Sequence, residues 1–400
     1  MVKQWAKKAF LNGLRGLRGG TLTLKCPDGT YRFGDDDDLD ATIVVHDEGF
    51  FLRALTGSDI GIGESFMDGD WTTSDLVALA RFMLRNRRVL DRQSRLVGAL
   101  HRLAGAMARR LRDNSLAGSR RHIHRHYDLG NDFFRLFLDT ELLMYSCGYF
   151  ESAADSLEIA QTRKIDRICR RLRLAPSDHV LEIGSGWGGF ALHLARERGC
   201  RVTTATISRE QHALASQRVR EAGLDHLVDV VYSDYRELQG SYTRIVSIEM
   251  IEAIGHRQFE TYFSTIDRLL APDGLAGIQA ILVPDQRYST YRGQRDWINK
   301  HIFPGGMLPS LEAIATAARR SSALMVHEVR EIGPHYARTL REWRERFLVR
   351  RAEVEALGLD LHFQRTWEYY LAFCEAAFAT HALRDAQLVL TRPLNRTLAG

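Results

Sequence analysis

The sequence lacks any uninterrupted apolar run approaching the roughly 18 residues that a membrane-spanning helix requires. Its first twenty residues are basic, but they have neither the apolar core nor the small-residue cleavage site of a secretory signal. Cysteine is scarce, since the five cysteines are scattered and show no metal-ligand spacing. These absences exclude a disulfide framework and predict a cytoplasmic protein in a reducing compartment.

The composition is that of an ordinary globular protein. Four hundred residues allow two or three domains, and 45% of them are apolar while 26% are charged. Fully disordered and fibrous chains are therefore excluded.

Positive charge is concentrated near the end of the first third of the chain. The net charge is only +5, yet residues 81–126 hold thirteen arginines and two aspartates. Such a segment could attract nucleic acid or anionic lipid, or could be a solvated helix face. Closer to the start, Ala6, Phe10, Leu14 and Leu17 recur at helical spacing among basic residues. This short amphipathic helix could lie on an anionic bilayer or dock on its own domain.

The hydrophobic pattern divides the chain into two predicted domains. Residues 1–112 combine short alternating strands with helices, which predicts a small α+β domain, and residues 113–400 form the second domain. From residue 176 onward strands alternate with helices, which predicts an α/β fold with a mostly parallel, Rossmann-like sheet that binds ligands at the carboxyl ends of its strands. Its seven predicted strands are 179–183, 201–207, 228–232, 244–249, 275–281, 323–329 and 387–392.

A glycine-rich turn follows the first strand of this sheet, in the sequence LEIGSGWGG at 181–189. Its glycines also satisfy a dinucleotide-binding pattern, but NAD would require an acidic residue at the end of the second strand. That position has TATI at 204–207. Glu182 instead places a carboxylate at the tip of the first strand, where it suits an ammonium group. The pattern therefore favours S-adenosylmethionine over NAD.

Eight longer motifs extend this pattern, and in chain order they are GIGESFMDGDW (61–71), HYDLGNDFF (126–134), LMYSCGYF (143–150), VLEIGSGWGGFALHLA (180–195), TISREQ (206–211), DYREL (234–238), RIVSIEMIEAIGH (244–256) and DWINKHIFPGGMLPS (296–310). Together they resemble the cyclopropane-fatty-acyl-phospholipid synthase family, which includes the mycolic acid cyclopropane synthases and related fatty-acid C-methyltransferases. The resemblance covers roughly residues 20–395. It implies a seven-stranded class I methyltransferase domain that methylates the cis double bond of an unsaturated phospholipid acyl chain.

The resemblance also implies which residues bind S-adenosylmethionine. In addition to Glu182, the predicted cofactor-binding residues are Tyr145, Ser146, Gly184, Gly186, Thr206, Ile207, Gln211, Asp234 and Tyr235. Tyr145 and Ser146 would close over the cofactor, and Gln211 would supply the ribose hydrogen bond that the missing second-strand acid would otherwise give. Asp234 and Tyr235 would border the adenine.

For catalysis, the resemblance implies a carbocation whose proton is removed by a bound bicarbonate. The corresponding positions are Glu252, Tyr336, Cys147, Gln279 and Ile281, the last through its backbone. Gln279 stands where many members have histidine, and glutamine cannot carry a proton at neutral pH. Glu249 stands where many relatives have glycine. We hypothesise a cyclopropane product, with a methylene or methyl branch as the alternative.

Two other functions stay open from sequence: a nucleic-acid methyltransferase, suggested by the arginine-rich segment, and a non-catalytic lipid-binding protein, suggested by Gln279. We expect the partner to be a phospholipid bilayer rather than nucleic acid, with peripheral association at the inner membrane face and a homodimer as an open alternative. We expect no metal, because basic residues intervene among His122, His124 and His126.

Overall fold

The computed structural model describes residues 2–35, 39–90 and 129–398. Its strands, in chain order, are β1 Thr21–Cys26, β2 Gly29–Gly34, β3 Asp40–Val45, β4 Trp71–Thr72, β5 His179–Ile183, β6 Arg201–Thr206, β7 Val228–Tyr232, β8 Tyr242–Ile248, β9 Leu270–Leu282, β10 Met325–Glu331 and β11 Arg384–Thr391. Its helices are α1 Val2–Gly13, α2 Gly49–Asp68, α3 Leu76–Arg85, α4 Asn131–Arg135, α5 Leu157–Arg171, α6 Gly189–Arg198, α7 Arg209–Glu221, α8 Phe259–Leu269, α9 Asp285–Arg292, α10 Trp297–His301, α11 Leu311–Ser321, α12 Gly333–Val349, α13 Arg351–Ala356 and α14 Leu361–Ala379.

These elements form two compact units. The described residues of the first unit are 2–35, 39–90, 293–304 and 340–382, and those of the second are 129–292, 305–339 and 383–398. The first unit therefore includes two later segments that the pattern-based division assigned to residues 113–400. The boundary near residue 112 lies outside the described residues, as do His122, His124, His126 and most of the arginine-rich segment, so the division at 112/113 stays a prediction.

The first unit contains a four-stranded sheet in the order β2-β1-β3-β4. Strands β1 and β2 form an antiparallel hairpin, whereas β1 and β3 are parallel. Helix α14 packs on α2 and α3, and its Trp367, Tyr370, Leu371 and Phe378 are buried. This aromatic stretch is a core element, as its helical spacing predicts.

The amphipathic helix α1 buries its apolar face within the same unit. Ala6 is fully buried, and the ring of Phe10 lies 5.3 Å from that of Phe50 and 5.6 Å from that of Phe51. Of the two alternatives for this helix, its apolar face therefore docks on its own domain. Trp5 stays on the opposite side with 64% of its surface exposed.

The second unit contains the seven-stranded sheet, in the order β10-β11-β9-β8-β5-β6-β7. All neighbours from β9 to β7 are parallel, whereas β11 is antiparallel to both β9 and β10. Buried apolar residues dominate the central strands because helices cover both faces of the sheet. The predicted α/β fold and its seven strands are confirmed. No helix in the described parts of the chain is long and apolar enough to cross a bilayer.

Candidate active site

Most of the predicted site residues lie at one edge of the seven-stranded sheet. Strands β5, β6, β7, β8 and β9 run parallel, so their carboxyl ends meet there. The neighbouring antiparallel β11 begins at the same edge, where Asp385 pairs with Ile281. Loops from distant parts of the sequence are thereby brought together.

The glycine turn after β5 offers its backbone to a ligand. Gly186 has a φ of 48°, in the left-handed region that favours glycine. A Cβ placed there would meet no described atom within 4 Å. Since α6 begins directly after this turn, backbone N–H groups and the positive end of a helix dipole face the same space.

An aromatic segment before α5 packs over this turn. The indole N–H of Trp187 donates a hydrogen bond to Asn131 Oδ1 at 2.7 Å, and the ring of Phe134 lies 5.0 Å from Trp187 and 5.3 Å from Tyr145. A Cβ on Gly189 would stand 2.0 Å from the carbonyl oxygen of Leu142. The segment therefore contacts the start of α6 directly, with Phe134 packed between Trp187 of the turn and Tyr145. The closing role of Tyr145 stays a prediction.

Glu182 is buried at the tip of β5 and turns its carboxyl group toward β6. Its Oε2 accepts a hydrogen bond of 2.6 Å from the Thr204 hydroxyl. Burial raises the pKa of Glu182 to about 8, so without a ligand the group favours its neutral form at neutral pH. A bound ammonium would favour the ionised form instead, and the predicted role of Glu182 stays a prediction.

The residues predicted to line the ribose form a local pair. The Thr206 hydroxyl donates to Gln211 Oε1 at 2.9 Å, and both side chains are buried at the end of β6. Ile207 between them is partly exposed. Ser208 accepts from the Gln211 N–H at 3.3 Å, which makes it the N-cap of α7 as the sequence predicts.

The loop after β7 places Asp234 and Tyr235 differently. Both carboxylate oxygens of Asp234 accept hydrogen bonds of 2.8 Å from Arg236. The Tyr235 ring packs in the core, 5.8 Å from that of Tyr262, and burial raises the pKa of its hydroxyl to about 12. Asp234 therefore borders the edge of the sheet, whereas the Tyr235 side chain faces the interior.

Three of the five predicted catalytic residues converge on a carboxylate to which the sequence assigned no role. Glu249 Oε1 accepts from the Cys147 backbone N–H at 2.9 Å and from Gln279 Nε2 at 2.8 Å, while its Oε2 accepts from the Tyr336 hydroxyl at 2.6 Å. The replacement of a family glycine by Glu249 was the sequence signal for this arrangement.

The other two predicted residues pair with each other. Glu252 Oε1 accepts a 2.6 Å hydrogen bond from the Ile281 backbone N–H, and its enclosed Oε2 has no hydrogen-bond partner among the described residues. Burial, with repulsion from Glu249, raises the pKa of Glu252 to about 8. A carboxyl group with such a pKa can exchange a proton near neutral pH.

Two further buried groups surround this cluster. Asp385 Oδ2 lies 3.3 Å from Gln279 Nε2, and burial and the charge of Glu249 raise the Asp385 pKa well above its usual range. The Lys164 ammonium donates to the Ser146 hydroxyl at 2.7 Å, and burial lowers its pKa. Neither group could be predicted from the sequence, because neither belongs to a motif with a recognisable spacing.

The chain is similar in sequence to known proteins over most of its length. The family described as mycolic acid cyclopropane synthetase matches residues 114–388. Tuberculostearic acid methyltransferase UfaA1 of Mycobacterium tuberculosis is 38% identical over 378 residues, which cover 93% of this chain and 88% of that protein. The cyclopropane-fatty-acyl-phospholipid synthase of Escherichia coli is 36% identical over 361 residues, which cover 90% of each chain.

Solved structures show the same similarity over 68% of the chain. The cyclopropane synthase MmaA2 from Mycobacterium tuberculosis superimposes with a TM-score of 0.64 at 28% identity, covering 68% of this chain and 98% of that one. The mycolic acid cyclopropane synthase CmaA1, solved with S-adenosylhomocysteine (SAH) and CTAB, gives a TM-score of 0.63 at 29% identity and the same coverage.

Proposed function

This chain belongs to the mycolic acid cyclopropane synthetase family and is an S-adenosylmethionine-dependent methyltransferase, and from that premise we propose that it converts the cis double bond of an unsaturated phospholipid acyl chain into a cyclopropane ring. The observation that carries this proposal is the position of a partly buried carboxylate cluster, Glu249 and Glu252, beside an open glycine turn at one sheet edge. A heteroatom acceptor attacks with its own lone pair, whereas an alkene acceptor leaves a carbocation that negative charge stabilises and that must then lose a proton.

The residues at the sheet edge fit S-adenosylmethionine. The backbone at Gly184 and Gly186 would hold its amino-acid part, with Glu182 near the ammonium, and the Thr206–Gln211 pair would lie on the ribose side. When bound, this cofactor supplies an electrophilic methyl group on a positively charged sulfur. The aromatic segment that contains Tyr145 excludes water from that group.

The carboxylate cluster provides negative charge that can stabilise the carbocation formed on the acceptor acyl chain. An alkene is a weak nucleophile, and its attack leaves positive charge on an acyl carbon in an apolar pocket. Negative charge fixed in a buried site stabilises that cation far better than water would. Glu252, held at Oε1 by Ile281, keeps its Oε2 available beside Glu249.

Bicarbonate, which the family resemblance implies as the base, does not fit the donors as the structure has them. Cys147, Gln279 and Tyr336 all donate to Glu249, and the Ile281 N–H donates to Glu252. We therefore assign no step to bicarbonate in this chain.

A second candidate product comes from the same methyl transfer. UfaA1 is named a methyltransferase of tuberculostearic acid rather than a cyclopropane synthase. Its similarity to this chain supports, as the alternative, a methylene- or methyl-branched acyl chain, formed when the cation loses its proton after a hydride shift.

We further propose that the enzyme works at the cytoplasmic face of the membrane. Trp5 and Val2 each expose 64% of their surface on α1, beside the exposed Lys3 and Lys8. An exposed indole flanked by ammonium groups suits the interface of an anionic bilayer. Association into a homodimer stays a prediction.

The acceptor is tested with isotopically labelled S-adenosylmethionine. Vesicles of a cis-unsaturated phospholipid should take up the label, whereas matched vesicles of a fully saturated phospholipid should not, because they lack the alkene. Double-stranded and single-stranded oligonucleotides at physiological salt serve as further acceptors. Label in the oligonucleotides, or equal label in both kinds of vesicle, would refute the proposed function.

A further inference from the structure

The backbone at Glu249 is in a conformation that side chains other than glycine rarely adopt. Glu249 directly follows β8, and its φ is 50°. A non-glycine residue in this left-handed region costs about 1–2 kcal/mol. Its N–H donates to the Gln279 carbonyl at 2.8 Å, which fixes the backbone there. A glutamate at a position suited to glycine indicates that its carboxylate is required.

That carboxylate fills a ready-made oxyanion site. Three donors from separate elements reach it: the Cys147 N–H at 2.9 Å, the Gln279 amide at 2.8 Å and the Tyr336 hydroxyl at 2.6 Å. The orientation of the Gln279 amide is fixed because its Oε1 accepts from Gln387 Nε2 at 3.1 Å. Donors so arranged would suit any small carboxylate-like anion, and here the anion belongs to the protein.

The surrounding charges favour ionisation at Glu249 rather than at its acidic neighbours. Asp385 keeps one oxygen, Oδ1, without a partner among the described residues, and Glu252 accepts a single hydrogen bond. Glu249 accepts three. Burial raises the pKa of all three carboxyl groups, that of Asp385 well above its usual range. Hydrogen bonds to a carboxylate favour its charged form, so we assign the negative charge of this cluster to Glu249, which accepts the most of them. The buried Lys164 ammonium supplies the compensating charge.

We propose that Glu249 is the base of the reaction and takes the place of a bound bicarbonate. This inference rests on the proposed methyl transfer. The alkene electron pair forms the new carbon–carbon bond as the bond from sulfur to the methyl group breaks, and sulfur retains that pair. The transferred carbon then loses a proton to a Glu249 oxygen, and the freed C–H pair closes the ring. Release of that proton to water restores the carboxylate.

Two substitutions test the role of Glu249. Glu249→Gln keeps the size of the side chain but cannot accept the proton, so turnover should fall at least about 100-fold, with SAH binding by calorimetry unchanged. Glu249→Gly removes the carboxylate at a φ that glycine favours and leaves the three donors free. Its turnover should be lost in bicarbonate-free buffer and recover at least tenfold on adding bicarbonate.

Bicarbonate binding gives a readout that is independent of turnover. With ¹³C-labelled bicarbonate as the probe, NMR line broadening should appear with Glu249→Gly and be absent with the wild type. Arg173→Gly is the matched control, because Arg173 also has a left-handed φ, of 49°, in the same unit. It should keep wild-type turnover and should not bind the probe.

Three results would overturn the proposal: Glu249→Gln within threefold of wild-type turnover, a wild type that requires added bicarbonate, or a Glu249→Gly variant that neither binds nor responds to bicarbonate. A wild type without methyl transfer in any buffer would refute the proposed function instead. In that case the NMR experiment still decides whether Glu249 fills an anion site.

Discussion

Tyr336→Phe should shift the pH dependence of turnover toward alkaline pH. The Tyr336 side chain is buried, and its hydroxyl donates a 2.6 Å hydrogen bond to Oε2 of the partly buried Glu249. A hydrogen bond to a charged group contributes about 1.5–3 kcal/mol. Burial raises the pKa of Glu249, and this hydrogen bond partly offsets the rise because it favours the ionised carboxylate. Its loss should raise that pKa by about 1–2 pH units.

The sign follows from the role of Glu249 as a base. The carboxylate must be ionised to accept a proton, so turnover rises with pH through the apparent pKa of the cluster. The other groups that face Glu249 are unchanged in the variant; they are the thiol of Cys147 and the side chains of Lys164, Glu252, Gln279 and Asp385. The rising part of the curve of turnover against pH should therefore shift to higher pH without changing shape. Turnover at neutral pH should fall about 10- to 100-fold, whereas turnover at high pH should return to the wild-type level.

The assay is kcat/KM against pH with unsaturated phospholipid vesicles, since this profile reports ionisation in the free enzyme. Tyr242→Phe is the matched control, because the Tyr242 hydroxyl donates to the Gln239 carbonyl at 3.1 Å near the opposite end of β8. It should leave the profile in place. An unshifted profile for Tyr336→Phe, or a shift toward acid, would refute the assignment of Glu249 as the ionised group.

Three further substitutions test other parts of the structure. Glu252→Gln should lower turnover at least about tenfold while sparing SAH binding, because the amide cannot exchange a proton near neutral pH as the Glu252 carboxyl group can. The folded protein raises the pKa of Glu252 from an ordinary 4.5 to about 8. Ionisation of this group therefore costs the wild type stability as pH rises from 5 to about 9, and the melting temperature of the variant should rise relative to that of the wild type over this range. Undiminished turnover would show that Glu252 takes no part in proton exchange. Gly189→Ala should destabilise the second unit by about 1–3 kcal/mol in thermal unfolding, because its Cβ would lie 2.0 Å from a carbonyl oxygen. Gly57→Ala is the control and should cause no such loss, because no described atom lies within 4 Å of its new Cβ. Equal melting temperatures for the two variants would contradict the close contact at Gly189. Trp5→Ala should weaken binding to anionic vesicles, measured by co-sedimentation, about tenfold. Val349→Ala, at an exposed site away from α1, is the control and should bind as the wild type does. Equal binding by the two variants would exclude α1 from the membrane contact.

The fold could be predicted from the sequence because a covered parallel sheet requires continuous buried strands. Segment 179–183 shows that pattern clearly and became a strand with the same bounds. Segment 228–232, predicted from its β-branched residues, also became a strand with the same bounds, at the edge of the sheet where only Val228 is buried. That residues 293–304 and 340–382 belong to the first unit could not be predicted from the sequence. Helical periodicity shows that a helix has an apolar face, but not which unit that face will contact.

Residues of the site could be predicted only where they belong to recognisable sequence motifs. Cys147, Gln279 and Tyr336 were expected to hold a bound bicarbonate, and the structure places all three as donors to the carboxyl group of Glu249. The sequence did not reveal that the Glu249 side chain reaches these donors, since a side chain's direction depends on its backbone φ. Asp385 was missed because it reaches the cluster only through the antiparallel pairing of β11.

The measurement that tests the central claim most directly is product analysis. Wild-type enzyme would be incubated in bicarbonate-depleted buffer with S-adenosylmethionine and cis-unsaturated phospholipid vesicles, and the released fatty acids examined by gas chromatography with mass spectrometry. We predict a ring-bearing chain with one added carbon and no double bond, at the same yield with and without bicarbonate. A chain with no added carbon, or one that carries only a methylene branch, would contradict the account.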